Sequence, residues 1–102
     1  MIKLKDLQML KDNDGMTLLN GNLITYSSGY QVATEGIETT SARFALKKIK
    51  EYNGNCGVWF SQNIFYIDKS HHIEDKETAI EIGKTHNQLS ILDWHTMELI
   101  WL

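Results

Sequence analysis

Arg43, Phe44 and Lys47 are the residues of this chain whose types and spacing are most suggestive of ligand binding. Arg43 is the only arginine among ten basic residues, and an aromatic residue follows it directly. A guanidinium pairs with phosphate oxygens, and an exposed aromatic ring can stack on a base or anchor a protein interface. The pattern predicts an anion-binding surface on one helix face. The alternative is a Phe44 ring covered by the N-terminal segment, beside a solvated arginine.

Asn87 and Gln88 form a second candidate, at the junction between a predicted helix and the last predicted hairpin. Side-chain amides at such a junction can hydrogen-bond a ribose or the edge of a base. The same two residues also suit a helix C-cap and a turn, so both interpretations stay open. Together with the first group they complete the predicted ligand-binding set of Arg43, Phe44, Lys47, Asn87 and Gln88.

His71 and His72, with acidic residues before and after them, come nearest to a metal-binding pattern. Adjacent side chains on an extended segment point apart, and no second pair of ligands has the spacing of a zinc site. We interpret the two histidines as part of a solvated loop that leads into a helix. No metal and no cofactor is therefore predicted.

The remaining residues that could take part in catalysis are in unsuitable surroundings. Cys56 lies in an apolar run, where a thiolate would not be stabilised, and it is interpreted as a small buried side chain. His86 is expected on the inward face of a helix and His95 in a turn, neither with an orienting partner. The glycines are scattered and match no phosphate-binding motif. The sequence therefore predicts that the chain is not an enzyme and has no catalytic residues.

The elements that must position these residues follow from apolar periodicity and turn signals. We predict a single small α+β domain over residues 1–102, with a mainly antiparallel sheet and two or three helices. The last two helices are each followed by a hairpin, and these two helix–hairpin units are weakly similar in sequence. Ala45 aligns with Ala79, and Lys50 aligns with Lys84. The predicted helices cover 4–11, 41–53 and 76–87, and the predicted strands cover 16–19, 23–26, 30–34, 56–60, 64–67, 89–92 and 97–102.

Several predicted strands carry apolar side chains on both faces. Val58 and Trp59 point in opposite directions, as do Leu99 and Ile100. Two helices can cover one face of such a sheet, and a second face of this kind rarely stays exposed on a monomer. Either the N-terminal hairpin covers it, or another subunit does, and we favour a homo-oligomer.

The overall charge and the cysteine count limit the class of partner and the compartment. The formal net charge is −3, with an isoelectric point near 5.7. Binding to nucleic acid by phosphate neutralisation is therefore not expected. One cysteine excludes an internal disulfide, and no apolar segment suits a signal peptide or a membrane span. These features predict a cytoplasmic protein with neither a nucleic-acid nor a membrane partner.

The segment from Gly54 onward, GNCGVWFSQNIFYIDKS followed by AIEIGKTHNQLSILD, resembles small phage-encoded proteins, and most closely the first family of Thoeris anti-defence proteins. That resemblance implies an oligomeric sponge that binds a cyclic ADP-ribose signalling nucleotide between subunits without cleaving it. By matching position it assigns Asn87 to the ligand site. The function expected from it is immune evasion in the host cytoplasm by sequestration of a small anionic nucleotide.

Two other functional classes remain as alternatives at this stage. One is a phage-encoded inhibitor that binds a host protein, either anti-CRISPR-like or blocking replication. The other is an enzyme. A thermal shift with a nucleotide favours the sponge, capture of a host partner favours the inhibitor, and chemical alteration of the ligand favours the enzyme.

Overall fold

The computed structural model describes residues 1–102 and contains one seven-stranded antiparallel sheet with three helices, so the predicted α+β class is confirmed. The order of elements along the chain is also the predicted one: helix, three strands, helix, hairpin, helix, hairpin. The helices are α1 (Leu4–Gln8), α2 (Ala42–Glu51) and α3 (Lys76–Thr85), and the strands are β1 (Asp14–Leu19), β2 (Asn22–Leu23), β3 (Tyr30–Thr39), β4 (Asn55–Ser61), β5 (Ile64–Ile73), β6 (Ser90–Asp93) and β7 (Glu98–Trp101).

The strand order across the sheet is β2-β1-β4-β5-β3-β6-β7, which makes β5 the central strand. Its whole length is paired, with β4 on one side and β3 on the other. The β3–β5 register shifts by one residue between Ala33 and Glu35, where a bulge leaves Thr34 unpaired. Beyond the bulge, Gly36 lies opposite Asp68 and Ile37 opposite Ile67.

The helices begin where the sequence places N-capping side chains. The Ser41 hydroxyl accepts a hydrogen bond from the Phe44 N–H at the start of α2. The Asp75 carboxylate accepts hydrogen bonds from the Thr78 hydroxyl and the Thr78 N–H at the start of α3, and these two bonds lower the pKa of Asp75. None of the three helices combines the length and the apolar character needed to cross a bilayer.

All three helices lie on one face of the sheet, here called the helix face. Alternate residues of β5 point to it, and Phe65 and Ile67 are buried there with Ala45 and Ile49 of α2 in the larger core cluster. A smaller cluster joins α3 to the other half of the sheet through Val32, Ala79 and Ile91. Ala45 and Ile49, with Leu46 packed beside them, thus form the apolar side of α2 that faces the sheet.

Two strands run further than their apolar patterns indicated. The prediction ended β5 at Ile67 and β3 at Thr34, whereas the strands continue to Ile73 and Thr39. Because each supplies the other's hydrogen bonds, pairing continues through polar residues that carry no apolar signal. The prediction that His71 and His72 occupy a solvated loop was wrong for this reason: both lie in β5.

The opposite face of the sheet, here called the open face, has no helix on it. The hairpin of β1 and β2 does not fold over it, because these strands extend the sheet at its edge. The following segment, 24–29, contacts it instead, and Tyr26 stacks on His72 there with ring centres 3.8 Å apart. Trp59, Leu99 and Trp101 on this face remain 44%, 52% and 70% exposed. Exposed apolar side chains of this kind are compatible with contact between two copies of the chain. Formation of a homo-oligomer remains a prediction.

Candidate functional site

Asp68 lies near the middle of the central strand β5 and points to the open face. Its neighbour Ile67 is fully buried on the helix face, so alternation along the strand directs the carboxylate to the other side. Gly57 of β4 and Gly36 of β3 lie directly opposite Asp68 on the two adjacent strands. The carboxylate is therefore flanked on both sides by residues without side chains.

The two glycines have different roles beside this carboxylate. A Cβ atom at position 36 would overlap the Asp68 Oδ1 atom and approach the Ile67 carbonyl oxygen to 3.0 Å. A Cβ atom at position 57 would make an ordinary contact of 3.6 Å with Asp68 Oδ2. Gly36 is thus required for the position of the carboxylate, whereas Gly57 leaves open space in front of it.

Two adjoining cavities of about 510 Å³ and 240 Å³ meet at Asp68, and together they are called the open-face groove. Gly57, Asp68 and Leu92 line both of them. Asp68 is the only charged residue that lines the groove. Its lining includes apolar and neutral polar side chains: Trp59, Leu92, Trp94, Met97 and Leu99 are apolar, and Thr17, Thr25, Gln31, Ser70, Gln88 and Ser90 are neutral and polar.

Burial raises the pKa of the Asp68 carboxyl above its ordinary value, and desolvation is the only cause of this shift. A carboxylate in such a setting is a stronger base than one in water and is poised to exchange a proton nearer to neutral pH. A perturbed carboxyl inside a groove is a common mark of a functional site. The arrangement can therefore accept a proton from a water molecule in the groove.

Hydrogen bonds hold the polar wall of the groove in place. The Trp94 Nε1–H donates to Gln31 Oε1 at 3.0 Å, and Gln31 Nε2 donates to Ser70 Oγ at 3.0 Å. At the neighbouring end of the open face, Asn55 Nδ2 donates to the Tyr26 hydroxyl at 3.0 Å. Since each amide is oriented by its partners, the groove is largely formed before any ligand enters.

Arg43 and Lys47, predicted as ligand-binding residues, line a different cavity of about 350 Å³ between α1 and α2, with Leu4 and Lys50. Phe44 is 42% exposed, and the Lys48 Nζ atom lies 5.7 Å from the centre of its ring. The ring is therefore not covered by the N-terminal segment. These residues belong to the helix side of the molecule, away from Asp68, and a ligand-binding role for them stays a prediction.

Asn87 and Gln88 follow the end of α3. Asn87 adopts a left-handed backbone conformation with φ of +56°, as a residue that ends a helix commonly does. Gln88 lines the open-face groove together with Asp68, and its Nε2 atom donates to the His86 carbonyl at 3.3 Å. The structure thus brings Gln88 to the groove and separates it from Arg43, Phe44 and Lys47. The binding roles of Asn87 and Gln88 also stay predictions.

The histidines that the sequence analysis considered are dispersed. His71 contacts the Thr34 hydroxyl on the helix face at 3.2 Å, whereas His72 stacks on Tyr26 on the open face. His95 is exposed in its turn, and His86 is exposed as well, so the prediction that His86 faces inward was wrong.

The residues near Asp68 can neither bind a catalytic metal ion nor supply a reactive thiolate. A catalytic metal ion needs several such ligands, but no three His, Cys, Asp or Glu side chains come together in this structure. The residues around Asp68 do not fit such an ion. Cys56 is buried on the helix face, where desolvation, reinforced by the charge of Asp68, raises the pKa of its thiol to about 12. Its interpretation as a buried side chain is confirmed.

From the sequence, Asp68 was one of the acidic residues near His71 and His72 and was given no functional role, although a signal for its position existed. The run from Ile64 to Ile67 predicts alternating faces, and continuing that alternation by one residue places an acid on the face opposite Ile67. The flanking Gly36 and Gly57 are distant in sequence, so only strand pairing shows that they lie beside it.

The model of the haloacid dehalogenase-like hydrolase family matches residues 3–98 of the chain. The match covers nearly the whole chain, and the protein belongs to this family. Searches of curated proteins and of solved structures found no match.

This family membership corrects several expectations. It contradicts the resemblance to Thoeris anti-defence proteins, since the whole length from residue 3 to 98 is matched by a hydrolase family. The expected function, sequestration of a cyclic ADP-ribose nucleotide without cleavage, was wrong for the same reason, as was the alternative of a phage-encoded inhibitor. The prediction that the chain is not an enzyme was also wrong. General strand–helix patterns, which many α+β domains share, carried the mistaken resemblance.

Proposed function

We propose that this protein is a hydrolase whose substrate lies in the open-face groove and whose Asp68 carboxylate acts as the general base that activates water. Family membership supports the reaction class. The observation that carries the assignment to Asp68 is its position as the single charged group of the groove, with its pKa raised by burial. Proton transfer to a positioned carboxylate typically contributes about 10²- to 10⁴-fold to the rate.

The geometry supports this role in a second way. Gly57 leaves the space in front of the Asp68 carboxylate free, and the adjoining cavity is large enough for a small organic molecule. Neutral hydroxyl and amide groups such as those of Thr17, Gln31 and Ser90 line the same groove and can orient a polar substrate atom or a water molecule.

The direct test is the Asp68→Asn variant, which keeps the shape of the side chain and removes its basicity. Hydrolysis is measured against a panel of chromogenic carboxylic esters, phosphate esters and haloacids, the last by release of halide. We expect a loss of about 10²-fold or more in kcat for whichever substrate is turned over. The control is Glu81→Gln, because Glu81 is an exposed acid on the outer surface of α3. Full activity in Asp68→Asn would disprove the assignment.

The pH dependence of the rate gives an independent test. Asp68 acts as a base only when it is ionised, so kcat should fall as the pH drops through the raised pKa of its carboxyl. The pH at which activity is half-maximal should therefore lie above the ordinary aspartate value of 3.8. A rate that stays constant down to that value would exclude Asp68 as the base.

The compartment that we propose for this activity is the cytoplasm. The single cysteine cannot form an internal disulfide, which suits a reducing environment. Fractionation of the cells that produce the protein, followed by detection in the soluble cytoplasmic fraction, tests this assignment.

A further inference from the structure

We propose that two copies of this chain associate through the free edge of β7, so that their sheets join into one continuous antiparallel sheet. β7 (Glu98–Trp101) lies at one edge of the sheet, and β6 is the only strand that pairs with it. The pairing does not depend on the proposed function, because it follows from the backbone of β7 and not from Asp68.

The two edges of the sheet differ in how well they are protected against a further strand. At one edge, β2 (Asn22–Leu23) is only two residues long, and short edge strands discourage pairing. At the other edge, β7 has four residues, and its register with β6 continues without a bulge. β7 contains neither lysine nor proline, which commonly block pairing at an edge. The edge formed by β7 is therefore open to a further strand.

The backbone of β7 shows which hydrogen-bonding groups are free. The Leu102 N–H donates to the Leu89 carbonyl at 2.9 Å, so the backbone groups of residue 102 are directed at β6. These directions alternate along an antiparallel strand, so Ile100 also faces β6. Leu99 and Trp101 therefore direct their N–H and C=O groups to the free edge.

The positions of these free groups favour one twofold register. When Leu99 lies opposite Trp101 of the partner subunit, and Trp101 opposite the partner's Leu99, each pair exchanges two backbone hydrogen bonds. Ile100 then lies at the twofold axis, opposite the partner's Ile100. A register shifted toward Met97 is disfavoured, because Met97 has a left-handed backbone with φ of +59° and does not continue the extended strand.

The side chains of β7 are complementary to a second copy in this register. Leu99 and Trp101 are 52% and 70% exposed, and each ring packs against the partner's leucine. Glu98 is the only charged residue of β7 and lies opposite the partner's Leu102, so like charges do not meet. Two tryptophan side chains of roughly 150–250 Å² each form the centre of an interface that is small for a stable dimer. We therefore expect a dimer that dissociates on dilution.

Sedimentation equilibrium of the full chain, from about 1 µM to about 1 mM, measures this self-association. We expect the wild-type chain to pass from monomer to dimer within this range. Trp101→Lys places a cation on the edge and removes the central aromatic ring, so it should weaken the dimer by about 30-fold or more. The matched control is Leu23→Lys, because Leu23 is 74% exposed and lies in β2 at the opposite edge. This control should dimerise like the wild type.

A backbone variant tests the hydrogen bonds of the edge separately from the tryptophan side chain. The Leu99 N–H faces the free edge, so Leu99→Pro removes a donor to the partner and keeps every hydrogen bond to β6. We expect this variant to remain monomeric in the same concentration range. Circular dichroism of both edge variants checks that they fold.

A disulfide cross-link tests the register itself. Ile100→Cys brings two thiols together at the twofold axis, where the Cα atoms of such a pair are about 4.5 Å apart, so mild oxidation should link two copies. The matched control is Glu98→Cys on the same face of the same strand. Its two thiols are displaced by about 13 Å along the strands and should not be linked. The native Cys56 is buried and does not compete.

Three results would overturn the proposal. A wild-type chain that stays monomeric at about 1 mM would show that β7 does not pair with a second copy and would leave its edge to a different partner. A dimer that persists in both Trp101→Lys and Leu99→Pro would place the contact elsewhere on the molecule. Cross-linking of Glu98→Cys as readily as of Ile100→Cys would exclude the register. None of these results affects the assignment of Asp68.

Discussion

The two faces of this sheet differ most clearly at Ile67 and Asp68, which are adjacent in β5. Ile67 is fully buried under α2, within a cluster of closely packed apolar side chains. Asp68 is half-buried on the open face, between two glycines and beside a groove. One strand thus supplies the core with one residue and the groove with the next.

The difference shows how the chain separates stability from function. The helix face is closed by α1, α2 and α3 and supplies most of the buried apolar surface. The open face keeps a carboxylate whose ionised form is disfavoured by burial, an arrangement that costs stability. Such local costs are typical of sites under functional constraint. Removing the Ile67 side chain on the helix face should therefore lower stability, whereas removing the charge of Asp68 on the open face should raise it.

The largest effect is expected on the helix face, for Ile67→Ala. Removing this fully buried side chain leaves a cavity under α2 and should lower the free energy of unfolding by about 2–5 kcal/mol. Urea denaturation followed by circular dichroism measures the change. The control is Leu99→Ala on the open face, which is half exposed and should change stability by less than about 1 kcal/mol. Equal losses in both variants would contradict the distinction between the faces.

An intermediate effect is expected for the two glycines beside Asp68. Gly36→Ala should lower the free energy of unfolding by about 1–3 kcal/mol, because the new Cβ overlaps the carboxylate and approaches backbone. Gly57→Ala serves as its matched control and should be nearly neutral, since its Cβ meets only ordinary contacts. Thermal denaturation of both variants checks the pair. The steric account fails if Gly57→Ala is the more destabilised protein.

The smallest change in the free energy of unfolding is expected for Asp68→Asn. Whether this change is an increase or a decrease is what tests the argument from burial. The pKa of Asp68 is raised in the folded state, so the unfolded chain releases this proton first as the pH increases. Stability should therefore fall between the ordinary aspartate pKa of 3.8 and the raised pKa of the folded protein, and stay lower above it. Asp68→Asn lacks this loss and should be the more stable protein at neutral pH.

Denaturation curves collected at several pH values test this sign. The difference between wild type and Asp68→Asn should increase as the pH rises through the raised pKa of Asp68. A variant that is less stable than wild type at neutral pH would show that the carboxylate is stabilised by contacts and not strained by desolvation.

Much of the fold was predictable because it depends on local signals. Capping residues such as Ser41 and Asp75 start the helices, and the left-handed Asn20 and Gly21 turn the first hairpin. The apolar stripe of α2 predicts its buried side. Strand ends were less predictable, because the second half of β5 is polar and is held in place by pairing with β3.

The candidate site was much less predictable than the fold. Of the five residues proposed from sequence, the structure places Gln88 in the groove beside Asp68 and places Arg43, Phe44 and Lys47 on the other side of the sheet. A lone aspartate in a polar stretch has no distinctive spacing. Its surroundings are formed by residues from β3, β4 and the last hairpin, which are far apart in the chain.

The sequence by itself determined the identity and order of the ten elements, the Asp75 cap of α3, and the alternation of faces from Ile64 to Ile67. Those features depend on backbone preference and on periodicity, which act over a few residues. Only the tertiary structure decided that Gly36 and Gly57 flank Asp68 and that no cationic residue enters the groove. Strand pairing and burial decide such features, and both depend on residues distant in the chain.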